Sequence, residues 1–216
     1  MSAGAASSLR LYSKENMHLY MFVSILFMMG VVFGALMVNA LTLEQKQDLS
    51  RFLGSFFQTV SLDSEETSKL SLMDVFGLHF KWIILIWLLG VSVVGLPLVL
   101  VLDFLKGMLV GFTVGILISQ YAWKGMLFAI VSVVPQNVVI VPVIIISSVA
   151  AVSFSTYVVK HRFLQKTNGS AAPTFITYTS LALSLIAVMF LVSLFEVYVS
   201  PLLISWLAPS LLEAAM

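Results

Sequence analysis

"SVVPQNVVIVP", Ser132 to Pro142, lies in the most apolar part of the chain, and the fold turns on how it is read. A proline, a glutamine and an asparagine stand together among valines and isoleucines. Pro135 lacks an N–H and its ring collides with the preceding turn, so it kinks or breaks a helix. Pro142 repeats the disturbance further on. Backbone groups set free inside a bilayer must find partners within the protein, and the amides of Gln136 and Asn137 are placed to supply them. The apolar stretch around them, residues 125–159, exceeds one ordinary span and falls short of two, since a span takes about 20 residues. The expected form is a half-helix over 125–134, a break at Pro135-Gln136-Asn137, and a longer helix beyond. Such a break is either a packing device or the lining of a transport site.

The rest of the chain is of the same character. Of 216 residues, 60% are hydrophobic and 10% are charged, and the mean hydropathy is +1.07. A soluble domain is about 45–50% apolar and about 25% charged. The expected fold class is an all-α integral membrane protein with about five transmembrane helices in one polytopic domain, residues 1–216. The other four spans are read over 19–40, 82–102, 104–121 and 174–195. Tyr20, Trp82, Tyr121, Trp123, Tyr157, Tyr178 and Tyr198 fall near proposed ends, where amphipathic aromatics favour the headgroup level. Lys160, Arg162 and Lys166 flank one loop without acids, whereas residues 41–81 carry six acids, Glu44, Asp48, Asp63, Glu65, Glu66 and Asp74. The positive-inside rule then places 1–18 and the N-terminus in the cytoplasm. It places 41–81 and the interfacial tail, 196–216, outside.

In the 41–81 segment, Thr42-Leu43-Glu44-Gln45 reads as a capping box. Leu49, Phe52, Leu53, Phe56, Phe57 and Val60 follow at helical spacing, giving an amphipathic helix with an aromatic face. A second short interfacial helix is expected from Ser71, with Val75, Phe76 and Phe80 apolar. Such helices lie in the interface or pack on the bundle. Phe52, Phe56 and Phe57 are the candidate docking face for an extracytoplasmic partner.

Gly107, Gly111 and Gly115 recur every fourth residue in the third span, and Gly30 and Gly34 do so in the first. Small residues at this spacing let two helix backbones approach closely, within the bundle or, as a possible homodimer, between two copies. Asp103 and Lys106 are read as the junction of the second and third spans, so no ionisable residue falls well inside the membrane. That weighs against a proton-coupled transporter and leaves no acid or base with an obvious catalytic task. His18, His79 and His161 are scattered, and the chain has no cysteine; no metal site or other cofactor is expected. The net charge of +1 gives no reason to expect nucleic acid, and the lipid bilayer is the evident partner.

"LLGVSVVGLPLVLVLDFLKGMLVGFTVGILISQ", "VSVVPQNVVIVP", "AVSFS" and "LFEVYVSP" together resemble the stage II sporulation protein M family of endospore-forming bacteria, over nearly the whole of 20–201. Where more distant relatives carry a Pro-His-Gly-type motif, this chain has Pro135-Gln136-Asn137. The resemblance implies a non-enzymatic scaffold in the mother-cell septal and engulfing membrane. Its implied partners are the peptidoglycan hydrolases known as stage II sporulation proteins P and D. From the residues alone, a channel or transporter subunit with its site at Pro135 is the alternative.

Overall fold

A computed structural model of the chain describes residues 17–62, 72–92, 95–160 and 172–200, with side chains of 56–62 outside that description. The described residues form six helices: α1 Met17–Ala40, α2 Leu43–Leu62, α3 Leu72–Val91, α4 Gly95–Ser132, α5 Val134–Val158 and α6 Ala172–Tyr198. All but α2 are long and apolar enough to cross a membrane. The protein is an all-α integral membrane protein, and there is no strand among the described residues. Residues 1–16, 63–71, 93–94 and 161–171, and the proposed interfacial tail from 201 onward, lie outside the described residues.

Five spans are present, but two boundaries differ from the expected ones. The boundary between the second and third spans lies between the end of α3 at Val91 and the start of α4 at Gly95, not at Asp103. Ser92 accepts a hydrogen bond from the Gly95 N–H at 3.0 Å. A Cβ on Gly95 would collide with the Leu89 carbonyl, so only glycine allows so tight a return. Pro97 then falls in the first turn of α4, where its missing N–H costs no helical hydrogen bond. The charge of Asp103 suggests a solvent-facing junction, whereas Ser92, Gly95 and Pro97 are the turn chemistry. The second interfacial helix expected from Ser71 is instead the beginning of α3, which runs on without interruption through Phe80 and Trp82.

A second reversal occurs within α4 at Ala122, whose backbone has φ 47° and ψ −124°. The following piece, through Ser132, folds back so closely that a Cβ on Gly125 would strike the Leu117 carbonyl. The half-helix expected over 125–134 is therefore joined to the preceding span by a sharp bend, and it ends at Ser132 with a turn at Val133. Pro135 lies in the first turn of α5. Pro142 does not break the chain; α5 continues past it to Val158.

The core follows from the sequence pattern of α5. Ile140, Val143, Ile144, Ala150, Ala151, Val152 and Phe154 are buried against Ile83 and Ile86 of α3, Val99 of α4, and Leu185, Met189 and Val192 of α6. This helix is apolar on nearly every side because it is surrounded by protein. Helices α1, α3, α4 and α6 instead turn one apolar side outward, as Phe22, Ile25, Leu88, Leu109 and Leu191 do.

The bend at Ala122 carries a testable consequence. A β-carbon is disfavoured at positive φ, and strained backbone of this kind costs of the order of 1–3 kcal/mol. Ala122→Gly is expected to raise the unfolding midpoint in detergent, by the equivalent of about 1 kcal/mol. An unchanged or lower midpoint would show that no strain is held there.

Candidate functional site

The glycines of α1 and α4 meet each other. The two helices run parallel. A Cβ on Gly30 would clash with the Phe104 carbonyl, one on Gly34 with that of Met108, one on Gly107 with that of Phe27, and one on Gly111 with that of Val31. Gly115 is looser, with a Cβ 3.0 Å from Val38 Cγ2 and 3.1 Å from Ala35 Cα. These glycines are thus occupied by an internal seam and present no face to a second copy. Gly90 of α3 performs the same service elsewhere: a Cβ there would lie 2.7 Å from Ala151 Cβ. It brings α3 against α5, and its lack of a partner glycine hid it in the sequence.

The same face of α4 carries a carboxyl. Gly95, Val99, Asp103, Gly107 and Gly111 are buried at steps of four. Each step of four overshoots a full turn by about 40°, so the stripe drifts round the helix. Asp103 consequently faces α5, while the glycines that follow face α1. Asp103 is 1% exposed, and Ser148 Oγ, fully buried, donates to its Oδ1 at 2.7 Å. Its Oδ2 has no hydrogen-bond partner among the described residues. Asp103 lies about 12 Å along α4 at 1.5 Å per residue, within a helix long and apolar enough to cross a membrane. An acid therefore does sit inside a span, contrary to the expectation from sequence. Two signals pointed to it: its position four residues before Gly107, and the Ser147-Ser148 pair that interrupts the apolar run of α5.

Other polar side chains tie the same helices. Lys106, one turn after Asp103, holds its ammonium 5.4 Å from the centre of the Trp82 ring on α3, a cation–π arrangement. His79 of α3 and Glu196 of α6 are paired, Nε2 to Oε2, at 2.9 Å. At the other end of these two helices Tyr178 donates to the Trp87 carbonyl at 3.1 Å. Its ring stacks on Phe154 of α5, with centroids 4.8 Å apart.

The break at Pro135 is a separate feature, about 20 Å along α5 from Ser148. Asn137 Nδ2 donates to the Val133 carbonyl at 2.8 Å. That carbonyl also accepts the Asn137 N–H, at 3.3 Å, so it is not one of the groups freed by Pro135 or Pro142. Gln136 reaches further: its Oε1 accepts from Ser200 Oγ at 3.5 Å, just beyond α6. The amides thus reinforce one local turn and link the start of α5 to the end of α6, whereas the sequence suggests caps for both prolines.

The amphipathic helix is held to the bundle at two points. The capping box forms as expected, Gln45 Oε1 accepting from the Thr42 N–H at 3.0 Å and Thr42 Oγ1 from the Gln45 N–H at 3.3 Å. Gln120 Nε2 donates to the Lys46 carbonyl at 3.2 Å. Leu53 packs on the cluster of Leu117, Tyr121, Phe128 and Ala129 around the Ala122 bend. Phe52 points away, 68% exposed. The side chains of Phe56 and Phe57 lie outside the described residues.

The arrangement has a chemical limit. A buried charge without a counter-ion costs several kcal/mol, whereas one unmade hydrogen bond costs about 1–3 kcal/mol.

The seam is the easiest element to test. Gly111→Leu is expected to lower the thermal midpoint in detergent by the equivalent of about 1–3 kcal/mol or more, because the added side chain meets the backbone of Val31. Gly115→Ala should be milder, since its neighbours are a methyl group and an alanine. Equal effects from the two would argue against the seam as described.

No curated protein and no solved structure matches the chain. The stage II sporulation protein M family matches residues 23–201. That match takes in most of α1 and the whole of the other four spans, with the glycine seam, Asp103 with Ser148, and the Pro135 break, and this chain therefore belongs to the stage II sporulation protein M family.

Proposed function

We propose that this chain, a membrane protein of sporulation, is a non-enzymatic scaffold. In this role it recruits the peptidoglycan hydrolases, stage II sporulation proteins P and D, and localises them at the septal membrane during engulfment. The observation that carries the proposal is the way α2 is mounted. Leu53 and the Gln120–Lys46 hydrogen bond fix it to the bundle, while Phe52 is left facing outward. A fixed amphipathic helix with an outward aromatic side chain is suited to protein docking, because aromatic side chains supply large contact area and dominate interface energetics. With the N-terminus cytoplasmic and the C-terminus extracytoplasmic, α2 lies on the side where cell-wall hydrolases work.

One observation favours the alternative of a channel or transporter subunit: Asp103 is buried within a span, and intramembrane ionisable residues mark ion and proton paths. The two readings differ in what the purified protein does alone. A transporter supports solute or ion flux in proteoliposomes, which Asp103→Asn or Gln136→Leu then removes; a scaffold supports none.

Replacing Phe52, Phe56 and Phe57 by serine is expected to reduce co-purification of stage II sporulation protein P at least tenfold, with the thermal midpoint of the bundle unchanged. A folded variant that retains the hydrolase as well as the parent does would remove α2 as the docking element.

A further inference from the structure

Asp103 and Ser148 belong to neither the docking helix nor the glycine contacts, and the scaffold role makes no use of them. Both are buried side chains, Asp103 with 1% exposure and Ser148 with none, joined by a 2.7 Å hydrogen bond between α4 and α5. Their surroundings decide the state of the acid. Among the described residues Asp103 has no ion-pair partner, and its Oδ2 meets no hydrogen-bonding group. Lys106, on the same helix, lies over the Trp82 ring. From α3, His79 is already paired with Glu196 of α6, and Lys81 is exposed. The described part of α1 beyond Tyr20 has no titratable residue, and α5 has none before Tyr157. A hard divalent cation draws about six or more oxygens, far beyond the two carboxyl oxygens and one hydroxyl assembled here.

We propose that Asp103 and Ser148 form a proton-binding site inside the membrane-spanning bundle. A proton taken from water binds Oδ2 of the carboxylate and makes it a neutral acid, while Ser148 Oγ donates to Oδ1. Burial without a cation favours the neutral form, and the serine hydrogen bond fixes which oxygen carries the proton. The site is independent of hydrolase recruitment, and it gives α4 and α5 a contact whose strength depends on protonation.

Infrared spectroscopy of the full chain in liposomes, labelled with 4-13C-aspartate to separate its carboxyl from lipid esters, reads the proton directly. At neutral pD the parent is expected to show an isotope-shifted carbonyl stretch of a protonated aspartic acid, which disappears at alkaline pD. Asp103→Asn should abolish that band. Ser148→Ala should keep it but move it to higher frequency, since a hydrogen bond to the carbonyl oxygen is lost. This second variant keeps the test decisive if Asp103→Asn does not fold. A parent with only ionised aspartate at neutral pD would overturn the proposal, as would a band that survives Asp103→Asn or is unmoved by Ser148→Ala.

Discussion

Contact of backbone on backbone along α1 and α4 is the constraint from which the rest of the structure is arranged. In lipid there is little hydrophobic drive to bring two apolar helices together, so association rests on close packing and on hydrogen bonds. Gly30, Gly34, Gly107 and Gly111 remove the side chains that would hold the helices apart, and each is then covered by a carbonyl of the other helix. Once α4 is fixed against α1, the drift of its buried stripe carries Asp103 round to α5. The acid's position is thus a consequence of the glycine spacing, and moving the seam by one residue would turn the carboxyl away from Ser148.

The remaining helices are joined by polar contacts at different depths. Asp103 with Ser148 links α4 to α5, Lys106 over Trp82 links α4 to α3, and His79 with Glu196 links α3 to α6. Tyr178 closes the opposite end of α3 and α6. Each of these groups would be costly alone in hydrocarbon, and each has found a partner on a different helix. Among the described residues Oδ2 of Asp103 has no hydrogen-bond partner, as Trp87 Nε1, Ser155 Oγ and Thr179 Oγ1 have none, but it alone belongs to an acid. Buried polar atoms without partners are few in folded proteins, and a proton on this oxygen turns a buried charge into a neutral hydroxyl.

The helix proposed for docking and the buried acid occupy different parts of the molecule. Helix α2 is attached where the α4 reversal exposes Leu117, Tyr121 and Phe128 to Leu53. The strained bend at Ala122 therefore creates the surface on which α2 rests. The acid lies deeper, where α4 crosses α5. A change at Phe52 should leave the inner contacts intact, and a change at Asp103 acts on the packing of α4 and α5 before it reaches α2.

The sequence by itself determined the membrane class, the number of spans, the capping box at Thr42 and Gln45, and a helix break near Pro135, though not its place at Val133. Each depends on local composition or on residues a few positions apart: twenty apolar residues need a bilayer, and a proline removes its own N–H. The glycine spacing was also legible as a packing face, but not which helix would cover it. Only the tertiary structure decided that the boundary between the second and third spans lies between Ser92 and Gly95, because a charged residue in a continuous apolar run resembles a loop until a partner is found for it. That partner, Ser148, lies 45 positions away. Whether Asp103 belongs to water or to the interior depends on a hydroxyl brought to it by folding, a relation between two helices that neither segment carries alone.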